Sequence, residues 1–209
     1  MAAPKSRAKP AVAVVVAESA PQRMWITPRI APDMTFAVLR RNLFEVENNL
    51  VEFGWMKLHP IVPPGVCFEN VKGCWEPTAA RWEVVLPAGA ADMMSDPRTL
   101  LETFERQAAA GQKDLAVVLK LSFPDTRSLH EPWERSRAFA KDLFVDQHGL
   151  AALLILHVPA LSGAKSPAPP HIHVIVPAKV LVPFGFGSFC DLLCDAAQCE
   201  IADAWKATS

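Results

Sequence analysis

The chain has 209 residues, 51% of them apolar and 21% charged, with a net charge of −1. That is enough apolar surface for a sizeable core. It excludes a protein that holds nucleic acid by bulk positive charge, so an anionic partner has to be held by a local patch or by a metal. The cysteines number five, an odd count with no secretory signal ahead of them, which predicts a reduced, cytoplasmic setting.

Residues 1–10 are small, polar and basic (Lys5, Arg7, Lys9) and read as a disordered tail, with a single domain over 11–209. The run AVAVVVA at 11–17 reads as a buried strand and is too short to span a bilayer, so no membrane partner is expected. Prolines at 21, 28 and 32 mark a loop. From Thr35 to Phe53, the residues Phe36, Leu39, Leu43, Val46, Leu50 and Phe53 recur at three- and four-residue steps. That spacing predicts a helix capped by Thr35 or Asp33 and ended by Gly54. The stretch 55–86 is irregular and carries Trp55, His59, Cys67, Cys74, Trp75 and Trp82, with a short strand over 82–86. Its tryptophans read as packing under a long loop rather than as a platform for bases.

Ser95 begins a helix with Pro97 in its first turn, Leu100, Leu101 and Phe104 on its apolar face and Gly111 as its stop. LAVVLKLSF at 115–123 is a strand, and the next helix starts at Leu129 or Pro132 and runs to about Gln147. Two apolar strands follow, one ending at His157 and one beginning at His171, and a last helix is predicted over 188–205. On that helix Cys190 and Cys194 share a face, while Cys199 is half a turn out of phase, so the cysteines do not form a metal site. This order predicts an α+β fold, an antiparallel sheet with helices on one or both faces.

His171 and His173 are two apart and project from one face of their strand. If the strand ending at His157 pairs antiparallel with theirs, His157 lies opposite them. Three imidazoles converging from a rigid sheet make a site for a divalent metal. Two polar rings on an otherwise apolar strand each need a partner, and a metal satisfies both.

The run LAVVLKLSFPDTRSLHEPWERSRAFAKDLFVDQHGLAALLILHVPALSGAKSPAPPHIHVIVPAK at 115–179 resembles the MobA/MobL family of plasmid mobilisation relaxases. The shared pattern is a strand ending in a proline turn (LKLSFP), a helix with an FA-x-x-L core (AFAKDLF), a strand ending in histidine (LLILH) and an H-x-H strand followed by a basic residue (PHIHVIVPAK). Resemblance is strongest over 95–206, weak over the 35–54 segment and absent before it.

It implies a relaxase fold of the HUH endonuclease class, a two- or three-layer sandwich of antiparallel sheet and helices. His157, His171 and His173 match the metal ligands, for Mg, Mn or a similar divalent ion. The implied activity is metal-dependent nicking and strand transfer on single-stranded DNA at a plasmid origin, with accessory mobilisation proteins as further partners. Lys179 matches the family's basic position after the H-x-H strand. Arg135, Arg137 and Lys141 are the densest basic cluster outside the tail and offer either a DNA contact or a solvated helix face.

The family's nucleophile is a tyrosine, and these 209 residues contain none. Thr35 and His59 are the N-terminal candidates to replace it. Water attack is another route, and a catalytically inactive relative that binds DNA or a partner protein is a third. Histidine-triad nucleotide hydrolases also alternate histidines, but their signature asks for one more where Ile175 stands.

Overall fold

A computed structural model describes residues 23–26, 31–62, 66, 68, 75–162 and 168–208. The strand expected over 11–17, the basic tail, Cys67 and Cys74 lie outside them. Six strands form one antiparallel sheet: β1 (Met24–Ile26), β2 (Met34–Arg40), β5 (Arg81–Val85), β6 (Asp114–Ser122), β7 (Ala152–His157) and β8 (His171–Pro177), in the order β1-β2-β6-β8-β7-β5. Strands β3 (Asn42–Leu43) and β4 (Val46–Glu47) make a small hairpin, and β9 (Lys179–Val182) pairs with β10 (Gly185–Phe189). The helices are α1 (Leu50–Leu58), α2 (Pro97–Gln107), α3 (His130–Ala140), extended by a π-turn over Lys141–Gln147, and α4 (Gln198–Ala207). The architecture is α+β, as the element order predicts.

Every residue of β8 is buried, as expected of a central strand covered on both faces. Helix α1 lies over the face carrying His171 and His173. Helix α3 covers the other, where Arg137 pairs with Glu83 of β5 at 2.7 Å and Arg81 stacks on Trp133 at 4.2 Å. Burying Ile172, Val174 and Val176 on that second face stabilises the sheet by roughly 1.5–3 kcal/mol per side chain. Among the described residues no helix is long and apolar enough to cross a membrane.

The helix expected over 35–53 is not there. Its first half is β2, and its second half is the β3–β4 hairpin followed by the start of α1. The apolar run Phe36-Ala37-Val38-Leu39 is buried on both sides of the strand, so helical spacing arose from a strand with two covered faces. The reversal lies at Phe44, a non-glycine residue with φ of 54°, a turn that residue type does not advertise. The true helix start is Asn49, whose side chain accepts from Val51 N at 2.8 Å and Glu52 N at 3.2 Å. The last helix also begins later than expected, at Gln198, because Gly185–Phe189 is strand β10.

Gly54 does not end a helix but sits buried inside α1, where a Cβ would run into the side chain of Leu101 on α2. Its missing side chain lets α1 and α2 approach closely. Overpacking typically costs about 1–3 kcal/mol, so Gly54→Val is expected to lose about 2–3 kcal/mol. Urea unfolding should show a lower midpoint at unchanged slope.

Candidate metal centre

Register builds the site. On β7 and β8, His157 pairs with His171 and Ile155 with His173; on the other side of β8, Lys120 of β6 pairs with His173, and Thr35 of β2 pairs with Lys120. His157, His171, His173, Lys120 and Thr35 therefore project from one face. The last turn of α1 covers that face with Met56 and Lys57. Together they line a cavity of about 380 Å³.

The three imidazole rings form a near-equilateral triangle. Their centroids are 5.2 Å apart for His157–His171, 4.7 Å for His157–His173 and 5.0 Å for His171–His173, with planes inclined by 69°, 73° and 88°. One ring nitrogen from each can be chosen so that all lie within 4.8 Å of one another, close enough to hold a metal ion.

Hydrogen bonds set two of the tautomers. His157 Nε2 lies 2.6 Å from the Lys57 carbonyl and His171 Nδ1 lies 2.9 Å from the Pro169 carbonyl. A carbonyl only accepts, so each of those nitrogens carries the proton. The lone pair is left on Nδ1 of His157 and on Nε2 of His171. His173 Nδ1 is buried with no hydrogen-bond partner. Backbone carbonyls that orient ligand imidazoles in this way are a usual support for metal sites.

All three rings are held neutral. Burial pushes His171 down to about 4, and nearby Lys120 and His157 push the same way against the Pro169 hydrogen bond. Burial and then Lys57 hold His173 well below its ordinary value. Burial also lowers His157, against its bond to the Lys57 carbonyl. Neutral imidazole is the form that ligates a cation. A donor set of three neutral rings, one with an orphaned buried nitrogen, fits a divalent metal.

The other sequence candidates are distributed differently. Thr35 lines the cavity. His59 is not among the residues lining it; it stacks on Trp55 at 4.4 Å, and its Nδ1 bonds the Trp55 carbonyl at 2.7 Å. None of the four basic candidates lines the cavity either. Arg135 stacks on Trp205 at 3.8 Å, Arg137 pairs with Glu83, Lys141 pairs with Asp146, and Lys179 Nζ donates to the Gln107 carbonyl at 2.9 Å. Sequence reasoning missed Lys57 and Lys120. Lys120 was legible as the lone charge inside the apolar run LAVVLKLSF. Lys57 was not, because its element was misplaced. Cys190, Cys194 and Cys199 are free and take no part in the cluster.

No family model matches the sequence, and no curated protein matches it. A solved structure described as the molecular basis of vancomycin resistance transfer in Staphylococcus aureus is similar over 63% of this chain and 68% of its own, with a TM-score of 0.51 and 17% identity. At that identity the likeness shows the fold alone.

Purified protein should carry or take up a divalent metal that the His171→Ala/His173→Ala variant does not, measured by elemental analysis after dialysis. The metal-free protein should also lose stability as pH falls from 6.5 towards 4. The unfolded chain protonates His171 near its ordinary 6.5, whereas the folded one does so only at about 4. Between those values the unfolded state binds more protons, so unfolding free energy rises with pH. His171→Leu should flatten that part of the curve in urea titrations.

Proposed function

We propose that the protein is a relaxase-like domain that acts on single-stranded DNA, holding a divalent metal on His157, His171 and His173 and breaking a phosphodiester there. The observation that carries this reading is the triangle of neutral rings projected from two neighbouring antiparallel strands. The resemblance of 115–179 to the MobA/MobL pattern supports it. So does the fold shared with a protein of vancomycin resistance transfer in Staphylococcus aureus. Plasmid mobilisation is the setting these likenesses favour.

A metal bound to the trio would supply a Lewis acid for a phosphate oxygen. An all-imidazole set favours manganese or a later transition ion over magnesium, which prefers oxygen ligands. The chain's own residues orient and exclude. The carbonyls of Lys57 and Pro169 hold two rings in place, and Met24, Ile26, Ala37, Met56 and Val118 form the apolar part of the cavity wall.

With no tyrosine in the sequence, the attacking oxygen comes from water or from Thr35, the hydroxyl residue among those lining the cavity. Water attack forms a new P–O bond and breaks the bond to the 3′-oxygen, which leaves with a proton. The products are a 5′-phosphate and a 3′-hydroxyl. Attack by Thr35 Oγ1 breaks the same bond, the 3′-oxygen leaves with the threonine's proton as a 3′-hydroxyl, and the 5′-phosphate stays on the protein as a phosphodiester to the threonine.

The missing tyrosine also favours a second reading, a relative that binds DNA without cutting it. Incubation of supercoiled origin plasmid and of labelled single strands with Mn or Mg separates them. Metal-dependent nicking, absent in EDTA and in His171→Ala/His173→Ala, is the expected result. Salt-sensitive binding with no cleavage under any metal selects the second reading instead. A protein–DNA adduct abolished by Thr35→Ala would identify the threonine as nucleophile.

A further inference from the structure

A second cavity, of about 660 Å³, lies beyond the end of β8 that is away from His171, between the β9–β10 ribbon and α4. Val180, Phe189 and Leu192 give it an apolar wall. Its charged lining is Asp191 and Glu200, and no lysine or arginine stands among the described residues around it. Neither carboxylate is in an ion pair with a described residue. Apolar surface continues from Phe189, 41% exposed, onto the ribbon, where Phe184 is 95% exposed. An apolar patch beside negative charge complements a segment that carries basic side chains next to an apolar run.

The chain itself holds a segment of that composition. Lys5, Arg7 and Lys9 are two apart, so they share one side of an extended chain, and the uncharged run AVAVVVA follows at 11–17. Seven consecutive apolar residues are unfavourable in water and call for a covering surface. The point of attachment is beside the cavity. The carbonyls of Arg23 and Arg40 both accept from Asn48 Nδ2, at 2.9 and 2.8 Å, so they are neighbours. The Arg40 guanidinium pairs with Asp195, which sits between Cys194 and Ala196 of the cavity lining. Six extended residues reach about 20 Å, which leaves the chain ahead of Arg23 ample length to enter the cavity.

We propose that this cavity seats residues 5–17 of the same chain, with Lys5, Arg7 and Lys9 against Asp191 and Glu200 and the apolar run over Val180, Phe189 and the ribbon. The inference is independent of the DNA reading, since the cavity is remote from the histidines.

Cys190 and Cys194 line the cavity and report on its occupancy, while Cys199 is exposed and outside the lining. The test is maleimide labelling of the full chain, with each cysteine followed by peptide mapping. Lys5→Glu/Arg7→Glu/Lys9→Glu should speed labelling of Cys190 and Cys194 about threefold to tenfold, the worth of two partly exposed ion pairs, and leave Cys199 unchanged. Lys5→Gln/Arg7→Gln/Lys9→Gln should act in the same direction and less strongly. Burial raises the Cys190 thiol, and Asp191 and Glu200 add to it, so Asp191→Lys/Glu200→Lys speeds labelling by itself. Within that background the Glu-substituted tail should slow labelling again, because the charges have been exchanged.

Equal labelling rates in the original chain and in both tail variants overturn the proposal. So does amide hydrogen exchange over 11–17 at the rate of an unfolded peptide. Protected amides there with cavity thiols indifferent to the tail charges place the segment elsewhere and overturn it as well. Shielding that disappears on dilution, together with a dimer in sedimentation, assigns the cavity to the segment of a second copy and overturns docking within one chain.

Discussion

The pairing of β7 with β8 is the constraint on which the site depends. Its register puts His157 opposite His171, and the pleat puts His173 on the same face. A slip of one residue would turn one histidine away from the other two and drive an apolar side chain into the cavity. That register is well defended. Ile172, Val174 and Val176 are buried beneath α3 and its neighbours, so a slip would also bring the histidines into the core on that side. The same alternation that holds the fold together therefore aims the rings.

Helix α1 completes the arrangement from above. Its last turn has carbonyls with no partner inside the helix, and one of them, at Lys57, accepts the proton of His157. A group that ends a helix thus selects the tautomer of a ring on the sheet. The position of that turn depends on the start of α1. There Asn49 caps two amides and Glu105 of α2 accepts from Leu50 N while pairing with Arg41. Close contact at Gly54 brings α2 into reach. Packing between two helices away from the cavity therefore supports the orientation of a ring inside it.

The electrostatic character of the cavity is unusual for a site that fits a metal. Imidazoles supply donors without charge, and the charged groups beside them are both cationic. The near-neutral chain as a whole does not show this local feature, and among the described residues most other basic side chains are engaged with carboxylates or carbonyls.

The histidine trio was legible because it depends on rules that act over a few residues. Alternation along a strand put His171 and His173 on one face, and two apolar strands consecutive in the chain paired as neighbours. The α+β class followed in the same way from the order of elements. The segment at 35–53 was not legible, since a strand buried on both faces and a helix with an apolar stripe can share one spacing, and only the neighbouring β6 decides between them. With that segment went Lys57, whose place over the trio is set by contacts between α1 and α2. The sequence by itself determined which strands carry the rings and that His171 and His173 face one way; the pairing that brings His157 to them is a fact of the sheet. Tertiary structure alone decided what stands around them, because cross-sheet register and helix packing join residues that lie far apart in the chain.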